Sequence, residues 1–174
     1  MQKGSDVGID STLYNLVLVL HLVAVVAGFG GVFLNGVYGG QAKTRPGAGA
    51  LAIGEANLAA TKVAEYAIYA VPLLGIALIV LSDGAWEFSQ LWISVSFLLY
   101  FVAVGLAHGL LFPSAKRMNA LAAELVAAGG AFEGGRPPQM AEMEALEKRL
   151  GLVSMVLNLI VVAVIVVMVF KPGL

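Results

Sequence analysis

The chain of 174 residues contains no cysteine. That excludes disulfides, thiolate metal sites, iron–sulfur clusters and haem attached covalently through a CxxCH motif. Charge is scarce as well: Asp, Glu, Lys and Arg together make up only 12% of the residues, against about a quarter in soluble domains. The few cations form no basic stripe, so nucleic acid is not an expected partner. There are only two histidines, His21 and His108, and no HExxH motif around either. No nucleophile–base set, metal-binding motif or phosphate loop is present; GFGG at 28–31 lies inside an apolar run rather than after a strand.

Apolar residues are abundant, at 60% of the chain. They gather into four runs, about 13–38, 63–81, 88–112 and 150–170, each long enough for a helix to cross roughly 30 Å of hydrocarbon. The fold class expected is all-α: an integral membrane four-helix bundle, up-down-up-down, in one domain over 1–174. The first run is longer than a signal-peptide core and has little positive charge before it, so it is expected to be a retained span.

Gly39, Gly40 and Pro46 are expected to end the first helix, and Leu51–Ala60 to form a short helix on the membrane surface. The turn Ser82-Asp83-Gly84 is short, so the second and third spans should be antiparallel neighbours. Pro72 should kink the second span, and a neighbouring group must satisfy the carbonyl it frees. The segment 113–149 is expected to be a cytoplasmic loop that carries helical extensions of spans three and four, broken by the turn-rich GAFEGGRPP.

The connections after spans one and three hold Lys43, Arg45, Lys62, Lys116, Arg117, Arg136, Lys148 and Arg149, and the other side holds only Lys3 and Lys171. By the positive-inside rule both termini should face outward from a bacterial inner membrane.

Two sets of polar residues stand out within the spans. His21 shares a small-residue face of span one with Ala24, Gly28, Gly31 and Asn35. It is the candidate ligand for a haem b or a metal. At its depth the facing segments are near Pro72–Gly75, Val95–Leu99 and Leu159–Val164, which offer no second histidine or methionine. The second set lies one to two turns inside the loop ends: Asn35, Glu65, His108 and Asn158, with Ser154 beside them. Glu65 is the sole acid within the four runs, and a buried charge there needs a partner. Glu65 with His108 is therefore a candidate proton or cation site. The glycines Gly28, Gly31, Gly36, Gly40, Gly105 and Gly109 are expected to be helix-packing surfaces.

LHLVAVVAGFGGVFLNGVY, the Asp-Gly/Trp turn, and LWISVSFLLYFVAVGLAHGLLFPSAKRM together resemble the bacterial predicted integral membrane proteins of domain of unknown function 2269. The resemblance covers most of the chain and implies a four-span layout. That layout also resembles the copper-resistance D proteins. More remotely it resembles the HemJ-type protoporphyrinogen oxidases, whose first-span histidine would match His21; the lysine partner those oxidases use is not placed in this chain.

The expected function is a non-catalytic scaffold or subunit of a membrane complex, homo-oligomeric or larger, with the lipid bilayer as its surroundings and no cofactor. The alternatives are a b-haem redox protein using His21 and a small cation or proton transporter using Glu65 and His108.

Overall fold

The computed structural model describes residues 7–45, 47–129 and 138–174. Among them there are only helices, turns and bends. The helices are α1 (Thr12–Lys43), α2 (Ala48–Leu81), α3 (Leu91–Leu106), a π-helical turn (Ala107–Leu111), α4 (Phe112–Ala127) and α5 (Pro138–Phe170). With α3, the π turn and α4 taken as one rod, Leu91–Ala127, four helices are long and apolar enough to cross a membrane. Each exceeds 30 residues, or about 45 Å, so every one outruns the hydrocarbon core.

Two expected breaks are absent. α1 runs through Gly39 and Gly40 to Lys43. A mid-helix glycine costs only about 1 kcal/mol, too little to stop a long apolar helix. The stop falls at Thr44, whose hydroxyl donates to the Gln41 carbonyl at 2.9 Å, and at Gly47, whose φ of +72° suits glycine. The expected separate helix Leu51–Ala60 is instead the first third of α2. The expected restart at Pro138 matches α5, whereas most of GAFEGGRPP lies outside the described residues.

Pro72 sits inside α2 and leaves the Ile68 carbonyl without its helical donor. The Tyr100 hydroxyl of α3 donates to that carbonyl at 3.3 Å. In the third rod the Phe112 amide donates to the Ala107 carbonyl, one residue farther than an α-helix allows. This opens the helix just ahead of Pro113, which has no N–H to contribute.

α1 and α2 pack along each other through small residues. A Cβ on Gly31 would stand 2.5 Å from Ala64 Cβ, and one on Gly28 would stand 2.8 Å from Ile68 Cγ1. α5 packs along α3, with Leu111, Val153 and Leu157 as a buried cluster. The two pairs meet where α4 lies against α2, with Asn119 over Gly54, and where α5 touches α1. Outward faces are apolar and bare, as at Val26, Val63 and Leu73, which suits lipid.

Contacts at the two ends fix which termini lie together. The Gly8 amide donates to the Leu81 carbonyl at 2.8 Å, and Gly173 lies against Leu91. This is the terminus end of the bundle. At the other, the loop end, Lys43 pairs with Glu147. Arg117 donates to both Glu142 oxygens there, at 2.8 and 2.9 Å. Those hydrogen bonds hold the Glu142 carboxyl below its ordinary value of 4.5.

Candidate functional site

A cavity of about 550 Å³ runs between the helix pairs, lined by α1, α2, α3 and α5. On α1 its wall extends from Tyr14 to Asn35, which is 21 residues or about 32 Å. Most of the lining is apolar. Polar side chains are concentrated at the two ends, with His21, Ser96 and Tyr100 between them.

His21 lies on the cavity wall against α2, one of the three segments that depth counting puts at its level. Its Nδ1 is 3.1 Å from the Val71 carbonyl, and its ring rests over Gly75. A carbonyl can only accept, so Nδ1 carries the proton and donates. Nε2 has no hydrogen-bond partner among the described residues and is not sealed off from open space. The arrangement suits an imidazole that ligates through Nε2 while a backbone carbonyl fixes the ring. Ser96 donates to the Trp92 carbonyl at 2.7 Å, and Tyr100 is taken up by Ile68.

At the loop end, the four residues expected to share one shell divide into three groups. Glu65 and His108 are joined through Tyr69. The Tyr69 hydroxyl donates to Glu65 Oε1 at 2.5 Å and lies 2.7 Å from His108 Nε2, while Glu65 and His108 are themselves 3.7 Å apart. The His108 ring stacks on Tyr69 and meets Phe112 edge-on. Asn35 instead accepts from the Thr61 hydroxyl at 3.2 Å. Asn158 donates to the Ser154 carbonyl at 2.8 Å, and its Oδ1 is buried without a partner among the described residues. Glu65, Thr61 and Asn35 line the cavity; Tyr69 and His108 lie on the exposed side of the α2–α3 seam.

Among the six glycines, Gly28 and Gly31 are packing positions. Gly36, Gly40, Gly105 and Gly109 face open space: a Cβ on any of them meets nothing within 4 Å among the described residues. Among the described residues no three His, Asp or Glu side chains form a metal-binding group.

Sequence reasoning missed the terminus end of the cavity. There the Trp86 Nε1 donates to the Tyr14 hydroxyl at 2.8 Å, and Trp86 meets Trp92 edge-on at 5.4 Å between centroids. Lys171 Nζ lies 4.2 Å from the Trp86 ring centroid and 5.4 Å from that of Trp92. The available signals were two tryptophans six residues apart after a tight turn and a cation at the end of the last span.

Four lipid-length helices around an apolar cavity define a polytopic α-helical membrane protein. The chain belongs to the family described as predicted integral membrane protein (DUF2269), whose family model matches residues 15–172. No curated protein and no solved structure matches the chain.

Proposed function

We propose that the chain is a non-catalytic membrane protein that binds a lipophilic molecule between its helix pairs, as a carrier or as the binding subunit of a larger complex. The cavity carries this reading. Its 550 Å³ falls within the roughly 300–1,000 Å³ typical of small-molecule sites, and clefts between bundle helices are a favoured place for them. The polar groups at mid-depth are already bonded to backbone carbonyls, which suits holding a guest better than acting on it. Outward-facing Gly36, Gly40, Gly105 and Gly109 leave room for a second copy or a partner helix. The eight-to-two division of Lys and Arg supports a bacterial inner-membrane orientation with the loop end in the cytoplasm and both termini outside. Native mass spectrometry of the gently solubilised protein is the test. We expect one lipophilic molecule per chain; a protein that arrives empty and takes up no apolar probe refutes the reading.

His21 favours a second reading, a b-type haem that Nε2 would hold. The free nitrogen and the fixed ring suit it, and a bound haem would supply one-electron chemistry. His21, Val71 and Gly75 would set the ring plane. A Soret band that shifts on reduction and is lost in His21→Ala supports it; a colourless preparation from haem-replete cells ends it. The transporter reading rests on the Glu65–Tyr69–His108 chain, which links the cavity wall to the exposed seam. Proton flux in liposomes that survives Glu65→Gln and Tyr69→Phe removes it.

A further inference from the structure

We infer that the terminus end of the cavity recognises the anionic head of a single-chain amphiphile, with Lys171 as the counter-charge. This names the ligand class for the binding reading above and rests on it.

Among the described residues Lys171 is the sole Lys or Arg lining the cavity. It sits over two tryptophan faces, which attract a cation but leave its ammonium hydrogens without acceptors. No carboxylate pairs with it among the described residues. The Tyr14–Trp86 hydrogen bond and the edge-on Trp86–Trp92 contact fix the rings, so the cation is held at the mouth instead of ranging over the surface. Beside it, Trp92 Nε1 is a buried donor that has no acceptor among the described residues.

The other end of the cavity has the opposite character. Glu65 lines it next to Ala64, which faces Gly31, about 26 Å along the α1 wall from Tyr14. An anion placed there meets a carboxylate, whereas one placed at Lys171 meets an ammonium. Between the ends the wall is almost wholly apolar. A long apolar body with one negative head therefore has one favoured direction: head at Lys171, tail toward Asn35 and Thr61. A neutral chain gains the apolar contacts without the charge, and a free anion gains the charge without the contacts.

The probe is cis-parinaric acid, a conjugated fatty acid that accepts energy from tryptophan, added to the full chain in nanodiscs of zwitterionic lipid. Trp86 and Trp92 are the two tryptophans of the protein, so quenching reports on this mouth. We expect saturable quenching by the acid and about tenfold weaker binding of its methyl ester, the size of one charge-assisted hydrogen bond. Lys171→Met should weaken the acid about tenfold and leave the ester unchanged; Lys171→Arg should retain the acid and serves as the check on folding. Inorganic phosphate alone should not displace the probe. Equal binding of acid and ester in wild type and Lys171→Met overturns the head-group assignment and leaves the cavity reading standing. Displacement by phosphate alone overturns the amphiphile. If neither probe binds, the cavity reading falls along with it.

Discussion

The closest approach between α1 and α2 gives a substitution whose sign depends on position. Gly31→Ala places a methyl 2.5 Å from Ala64 Cβ. Ordinary carbon contacts lie at about 3.5–4.0 Å, so the helices must part there by about 1.0–1.5 Å. One turn away the helices are also close: a Cβ on Gly28 would stand 3.1 Å from the Ile68 backbone nitrogen. Overpacking of this kind costs about 1–3 kcal/mol, and replacing a mid-helix glycine by alanine returns about 0.5–1 kcal/mol. The expected net loss is about 0–2.5 kcal/mol, centred near 1. Gly36→Ala in the same helix meets nothing within 4 Å, so it should gain the propensity term alone, about 0.5–1 kcal/mol. Removing the opposing methyl with Ala64→Gly should recover much of the Gly31→Ala loss, a coupling of about 1 kcal/mol in a double-mutant cycle. Thermal unfolding in detergent, followed by tryptophan emission, measures all four variants. If Gly31→Ala and Gly36→Ala are equally stable, the tight α1–α2 seam is not what holds this pair together.

Tyr100→Phe strips the donor from the Ile68 carbonyl freed by Pro72 and should cost about 1–3 kcal/mol; in a Pro72→Ala background the restored amide should make the same change nearly silent in thermal unfolding. Ser11 caps α1 by accepting from the Tyr14 amide at 3.1 Å, so Ser11→Ala should destabilise by about 1 kcal/mol, and Ser11→Asp should not. The Glu142 carboxyl is held below 4.5 by Arg117. A depressed folded-state value stabilises the folded chain above the unfolded value, and that contribution disappears as pH falls through the folded one. The melting temperature of wild type should therefore exceed that of Glu142→Gln near pH 7, and the gap should close below pH 4.5; a gap that does not change with pH rules out the ion pair as its cause.

The spans were legible because a bilayer demands a fixed length of apolar helix, and composition reports that directly. The helix ends were not. Gly39 and Gly40 look like breakers, but their cost is small beside an apolar helix 32 residues long. Counting residues from the span ends puts Pro72–Gly75 at the depth of His21 and Glu65 in one layer with His108; in the structure His21 lies against Val71 and Gly75, and Glu65 is 3.7 Å from His108. Depth is one coordinate, however, and azimuth is another. Asn35 and Asn158 share the layer but turn to Thr61 and to the Ser154 carbonyl. Tyr69 follows Glu65 at i,i+4, so its place on that face was readable; that it bridges to His108 depends on the gap between α2 and α3, which sequence does not encode locally. The cage around Lys171 joins three distant segments and had no local signal beyond its aromatic residues.

The uneven packing explains how one small bundle can be both stable and hollow. Gly28, Gly31 and Ala64 bring α1 and α2 nearly into backbone contact, and a lipid-exposed helix pair gains most from close van der Waals packing of this kind. α3 and α5 form the second pair. The pairs touch directly where α4 meets α2 and α5 meets α1; elsewhere long side chains tie them: Tyr100 reaches the Ile68 carbonyl, Tyr69 reaches His108, and Trp86 reaches Tyr14. Side chains of that length act as struts, fixing the spacing of the helices while keeping their backbones apart. Replacing a strut with a small residue should let the pairs collapse toward each other and shrink the cavity, whereas filling the α1–α2 seam should destabilise the pair without changing the cavity's chemistry. A Tyr100→Ala variant that kept full binding of a lipophilic guest would show that the pairs do not depend on their struts for that separation.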